Sequence, residues 1–177
     1  ALAAALCLAA ATALHARQDT LATAPMPPAV AVTPGGLRAV PVQGNVSVIV
    51  GAGTNIIVQS GDDGVLLVDA PLGPAAQPVF DAVKALSARP IHTIVNTHAH
   101  ADHTAATGAL VALRGAGPQA VRVMAHDNVL LRLQQAASAG GTTSAALRLN
   151  QAIVVPVTSA YFTPSRDFFL NGEAVFL

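Results

Sequence analysis

From position 37 onward, short apolar runs alternate with turn-forming residues. Residues 46–50 (Val-Ser-Val-Ile-Val) and 56–59 (Ile-Ile-Val-Gln) are β-branched runs that predict strands. Between them, Gly51-Ala52-Gly53-Thr54-Asn55 predicts a turn. A phosphate-cradling glycine loop lies between a strand and a helix, and this one lies between two strands. Gly61-Asp62-Asp63-Gly64 predicts a second turn, with Asp62 and Asp63 as turn residues. Residues 65–68 form a continuous apolar strand of the kind buried on both faces. The period then changes. Val79, Phe80, Val83 and Leu86 follow helical spacing and predict a helix between Pro74 and Ser87. A strand over 91–95, a helix over 104–114, a strand over 121–124 and a helix over 126–137 follow. Leu110, Val111 and Leu113 line the apolar side of the first of these helices, and Val129, Leu130 and Leu133 that of the second. Strands joined through helices predict an α/β fold. Beyond residue 138 the signal weakens, and Gly140-Gly141-Thr142-Thr143-Ser144 reads as a loop. Near the end, residues 168–170 and 173–177 flank Asn171-Gly172. That pair predicts a two-residue hairpin, because both central positions of its turn need positive φ. No internal repeat is visible.

Composition narrows the class. At 177 residues, with 53% hydrophobic and 10% charged positions, the chain suits one folded domain with a core and not a disordered segment. Nine basic and nine acidic residues cancel, and 3% aromatics leave no footprint for nucleic acid. No charge run suggests a helix lying on a membrane surface. Residues 1–16 differ from the rest: they are mostly Ala and Leu, and the first charge is Arg17. This run is shorter than the roughly 20 residues that span a bilayer. It reads as the apolar core of a secretory signal, with Ala11 and Ala13 near a cleavage point, and implies a periplasmic or secreted protein. An Ala-rich helix is the plainer alternative. Cys7 lies inside this run, and Ala4-Ala5-Leu6 before it suits a lipoprotein anchor poorly. No other cysteine is present, so the remaining chain forms no disulfide and offers no thiolate ligand. Residues 17–36, with Pro25, Pro27, Pro28 and Pro34, read as a linker, and the folded domain is expected over 37–177.

Three of the six histidines fall in His98-Ala99-His100-Ala101-Asp102-His103. Imidazole and carboxylate donors together suit zinc and its transition-series neighbours. The run follows a buried strand and precedes a helix, and active sites collect at the carboxyl ends of strands in such sheets. In an extended loop, residues two apart point the same way, so His98 and His100 can converge on one ion. Asp102 and His103, one turn further on, can reach a second. Structural zinc sites usually close with four ligands, often cysteines, which this run lacks. His92, near a strand start, and His126, at a helix start, read as structural, and His15 belongs to the signal segment. No serine stands in a G-x-S-x-G frame, which excludes that form of serine triad.

The stretch Asn96-Thr97-His98-Ala99-His100-Ala101-Asp102-His103-Thr104 resembles the H-x-H-x-D-H signature of the metallo-β-lactamase superfamily. Val65-Leu66-Leu67-Val68-Asp69 is similar to that family's strand ending in an aspartate near the metals. The turn at 51–55 and the hairpin at Asn171-Gly172-Glu173 extend the likeness over 37–177. The resemblance implies the N-terminal half of an αββα sandwich with metals at one edge, normally two zinc ions, with iron or manganese in some members. His98 and His100 would bind the first ion, and Asp102 and His103 the second. Asp69 would orient a ligand or the bridging water, and Asp102 would hold the water and shuttle its proton. The implied reaction is attack of metal-bound hydroxide on an ester, thioester, lactone or amide/β-lactam carbonyl of a small molecule. Ala105-Ala106 stands where many members carry Gly-Gly. The family's third ligand to the first zinc is a downstream histidine, and no histidine follows His126, so an incomplete domain is expected. Three alternatives stand beside this reading: an iron enzyme of redox or sulfur chemistry, a metal-binding module without turnover, and a secreted binding protein with a chance histidine cluster. Oligomeric state has no sequence signature here.

Overall fold

A computed structural model describes residues 31–33, 35–114, 119–139 and 157–177. The signal segment expected at 1–16 (with Cys7 and His15), most of the 17–36 stretch and the loop expected at 140–144 lie outside these residues.

Among the described residues, eight strands form one sheet whose order follows the chain: β1 (Ala31–Val32), β2 (Arg38–Gln43), β3 (Val46–Val50), β4 (Ile56–Gly61), β5 (Gly64–Val68), β6 (Ile91–Asn96), β7 (Arg122–His126) and β8 (Ser159–Tyr161). β1 to β5 pair antiparallel, joined by short turns. β5 to β8 pair parallel. A parallel pair needs a crossover. Those described are α1 (Ala76–Leu86) between β5 and β6, and α2 (Ala101–Thr104) with α3 (Thr107–Arg114) between β6 and β7; α4 (Asp127–Ala139) follows β7. The mixed α/β architecture is the one the hydrophobic pattern predicts.

The two faces of the sheet are covered differently. Ile49, Ile56, Val58, Val65, Leu67, Ile94 and Val123 face Val79 and Val83 of α1 and Leu110 of α3. Leu66, Val95 and Met124 face the other way, against Leu170 and the partly buried Phe168, Val175 and Leu177. Those four residues belong to the hairpin of β9 (Asp167–Leu170) and β10 (Glu173–Phe176), which forms a separate two-stranded sheet, and to its end. β5 is therefore buried from both sides, which explains its unbroken apolar run. Each fully buried Val, Leu or Ile contributes roughly 1.5–3 kcal/mol relative to exposure. Leu170 pairs with Glu173, so the hairpin turn is Asn171-Gly172, with φ of 56° and 77°. Asn171 also fastens the hairpin to the β4–β5 turn. Its N–H donates to Asp63 Oδ2 (2.7 Å), its Oδ1 accepts from the Asp63 N–H (2.9 Å), and its Nδ2 donates to the Gly64 carbonyl (3.0 Å).

Three features depart from the sequence pattern. The helix expected over 104–114 is two pieces, because the Ala106 N–H turns away to the Pro71 carbonyl (2.8 Å) and the helical ladder breaks there. β2 carries Pro41 and a register irregularity between Pro41 and Gln43, and a proline within a run masks a strand. β1, inside the stretch read as linker, and β8, with three residues, are too short to give a period.

Candidate metal centre

The site begins where β5 ends. Asp69 follows Val68 with φ of 70°. Such a left-handed conformation is uncommon outside glycine, and Asp and Asn adopt it most readily because their side chains bond locally. The turn lets the Asp69 N–H donate to the Val95 carbonyl (2.7 Å) and the Ala70 N–H to the His103 carbonyl (2.9 Å). The carboxylate, on a side chain 9% exposed, then lies beneath the loop that follows β6.

Among the described residues, the donors that reach this carboxylate come from that loop and from α2. Oδ1 accepts the Thr97 N–H (2.8 Å), and the Thr97 hydroxyl lies 2.9 Å from both oxygens. Oδ2 accepts from His103 Nδ1 (2.8 Å). Thr97 Oγ1 also lies 2.9 Å from His98 Nδ1. A hydroxyl has one proton and spare lone pairs. Thr97 gives its proton to the carboxylate and accepts from His98 Nδ1–H. Asp69 thus fixes the tautomer of His103 directly and of His98 through Thr97, and both rings present a bare Nε2.

These nitrogens meet the remaining donors. His98 Nε2 is 3.1 Å from His100 Nδ1. Two nitrogens bound tetrahedrally at 2.0–2.1 Å from zinc would lie roughly 3.3–3.4 Å apart, so the pair fits one shared ion. His103 Nε2 is 3.6 Å from Asp102 Oδ2, a spacing of the same order. The His98 and His103 rings are 4.1 Å apart, centroid to centroid. By distance alone, Asp69, His98 and His103 also group, with one donor atom from each within 4.8 Å of the others. Both Asp69 oxygens already accept hydrogen bonds, however, which fits an orienting group better than a ligand. The loop is braced from behind. Asn96, buried at the end of β6, donates Nδ2 to the His103 carbonyl (2.9 Å) and to Thr107 Oγ1 (3.1 Å). Thr104 Oγ1 donates to the His100 carbonyl (2.9 Å). From the β3–β4 turn, Thr54 Oγ1 reaches His103 Nε2 at 3.4 Å.

The other histidines stand apart from this network. His92 is at the start of β6, the far end from the cluster. Burial, then the charge of Arg122, push its pKa below the ordinary value of 6.5; Asp63 opposes them, and Arg114 adds the smallest lowering. His126 ends β7 on the same sheet edge as the cluster, with Nδ1 2.9 Å from Asp127 Oδ1 and its ring edge-on to Tyr161. Thr97, Asn96 and Thr54 carry no motif of their own. Their parts emerge only when β5 pairs with β6 at Val68 and Val95.

A family model described as the metallo-beta-lactamase superfamily matches residues 39–141. No curated protein matches the chain. Among solved structures, a metallo-beta-lactamase from Pontibacter korlensis is 17% identical, covered over 78% of this chain and 58% of its own, with a TM-score of 0.53. A HARLDQ-motif mutant of a metallo-beta-lactamase from Cronobacter sakazakii is 21% identical over 77% and 51% of the two chains, with a TM-score of 0.57. BJP-1, a subclass B3 metallo-beta-lactamase of Bradyrhizobium japonicum, is 18% identical over 77% and 49%, with a TM-score of 0.55. The shared property is the fold, and the chain spans about half the length of these structures.

Proposed function

The chain belongs to the metallo-beta-lactamase superfamily, and on that premise we propose that residues 98–103 supply the first donors of a dinuclear centre in a metal-dependent hydrolase. The observation that carries this reading is the 3.1 Å approach of His98 Nε2 to His100 Nδ1, beside a second pair formed by His103 Nε2 and Asp102 Oδ2. In this reading His98 and His100 hold the first ion, and Asp102 and His103 the second. The donor set fits zinc, since three imidazoles and a carboxylate without thiolate are borderline donors; iron or manganese would share them. When bound, zinc supplies an acidified water and polarises a carbonyl oxygen.

The chain's own groups divide the remaining work. Asp69 holds a proton on His103 Nδ1 and, through Thr97, on His98 Nδ1. Asp102, with about half of its side chain exposed, would hold the attacking water and shuttle its proton. The substrate class is a small molecule with an ester, thioester, lactone or amide/β-lactam carbonyl. A catalytic zinc usually has three protein ligands, and residues 98–103 bring two to each ion. The run at 1–16 supports a periplasmic or secreted setting. Among the described residues, no helix is long and apolar enough to cross a membrane.

The test is elemental analysis of the purified chain, together with hydrolysis of a chromogenic lactam and a chromogenic ester, before and after His100→Ala. Loss of metal with loss of turnover supports the reading. Metal content and turnover that both survive the substitution refute it, and stoichiometric iron with oxygen consumption replaces it by a redox reading. Two donors per ion also favour a metal-binding module without turnover. Zinc titration that saturates while neither substrate is hydrolysed selects that reading.

A further inference from the structure

The edge of the sheet away from the histidines carries its own cavity. It lies where the C-terminal ends of α1 and α3 meet the start of β6 and has a volume of about 300 Å³. That is at the lower end of small-ligand sites. Phe80, Ile91 and Leu113 give it an apolar lining, and Lys84, Arg89 and Arg114 a cationic one. The six residues of β6, at about 3.3 Å each, separate it from the histidine loop by roughly 20 Å.

The charges here are poorly matched. Arg89 pairs with Asp62 at 3.0 Å, but both side chains are exposed, so the pair is weak and easily opened. Asp63 is engaged by the Asn171 N–H. Lys84 and Arg114 form no ion pair among the described residues. Lys84 Nζ instead lies 5.9 Å from the Phe80 ring centroid. Both cations occupy the last turns of their helices and offset the exposed carbonyls there. That role leaves one fact without a cause: Arg114 Nε is buried and has no hydrogen-bond partner among the described residues. A buried guanidinium N–H without an acceptor is unfavourable unless a water or a ligand supplies one.

From the cationic rim, the apolar lining and the unpartnered Arg114 N–H, we infer a second binding site, for a small monoanion with an apolar body such as an alkyl or aryl carboxylate. The carboxylate meets Arg114 and Lys84, while its apolar body lies on Phe80, Ile91 and Leu113. This site needs no metal and does not depend on the hydrolase reading.

The test is calorimetric titration of octanoate into the full chain, alongside Lys84→Gln, Arg114→Gln and His103→Ala, each checked for folding by circular dichroism. The expected result is saturable binding at one site, weakened about tenfold by Lys84→Gln or Arg114→Gln, as the loss of a charge-assisted hydrogen bond implies. His103→Ala should leave it within about twofold, since the two sites are far apart. Lys84 is exposed, so its variant keeps the test open if Arg114→Gln does not fold. The inference is overturned by no saturable binding, by equal binding of uncharged octanol, by indifference to both cation variants, or by loss of binding in His103→Ala. Binding to phosphatidylglycerol vesicles without binding of free octanoate also overturns it, in favour of a lipid surface.

Discussion

Asp69→Asn isolates the hydrogen bonds that set the histidine tautomers. Asparagine tolerates the φ of 70° at this position, so the backbone has no new reason to move. The change is chemical: one of two acceptor atoms becomes an NH₂ donor. If it faces Thr97, the Thr97 N–H or hydroxyl loses its acceptor. If it faces His103, the ring must shift its proton to Nε2, the nitrogen proposed to hold the second ion. Hydrogen bonds to a charged group contribute about 1.5–3 kcal/mol each, while removing a buried charge recovers part of its desolvation cost. The net loss of stability is therefore expected at roughly 1–3 kcal/mol, less than the sum of the bonds. Loss of such an orienting partner typically lowers metal affinity 10–100-fold. Competition titration against a chromophoric zinc chelator reads the affinity, and long-range ¹⁵N–¹H correlation spectra read the tautomers of His98 and His103. The expected result is weakened zinc binding with the Nδ1 proton redistributed in at least one ring. A folded Asp69→Asn protein that keeps both tautomers and binds zinc as tightly as the parent refutes the reasoning.

Thr97→Val keeps the shape and removes the hydroxyl that links His98 to Asp69. Zinc affinity should fall less than in Asp69→Asn, with the His98 tautomer altered and that of His103 unchanged in the same spectra. Gly172→Ala places a Cβ on a residue with φ of 77° where no atom obstructs it. The penalty is then conformational, about 1–2 kcal/mol, and a thermal melt should show a lower midpoint. The depressed His92 pKa means that the unfolded chain takes up this proton first as pH falls below 6.5. Its contribution is fully present above that value and is lost as pH falls toward the folded pKa. Urea unfolding at pH 7.5 and pH 5.5 should therefore show a smaller acid loss of stability in His92→Gln than in the parent.

The Asn171-Gly172 hairpin was legible because its requirement is local: two consecutive positive φ angles, which that pair supplies at little cost. β5 was legible because burial on both faces leaves no polar position to interrupt its run, and β6 through the β-branched Ile91, Thr93, Ile94 and Val95. β2 was not, since Pro41 breaks its pattern while the register irregularity absorbs it. The break between α2 and α3 was hidden for a different reason. It depends on a carbonyl of Pro71, 35 positions away in the chain from the Ala106 amide that it captures. The site divides the same way. Its histidines and Asp102 stand together within six residues, so composition and spacing expose them. The protonation pattern that makes them donors rests on Thr97 and on the crossing of Asp69 beneath the loop. Those contacts exist only in the paired sheet, and no one-dimensional pattern records them.

The sheet repeats the order of the chain, and this has a kinetic consequence. From β1 to β8, each strand pairs with its sequence neighbours, so no strand waits for a partner from a remote part of the chain. Loop closure is short from β1 to β5, and each later pairing spans a single connection between strands that are consecutive in the chain, which favours rapid folding. During synthesis, the histidine-bearing loop can gain its support as soon as β5, β6 and α3 have left the ribosome. Its scaffold, with the Asp69 carboxylate already beneath it, is in place before β8 and the hairpin are made.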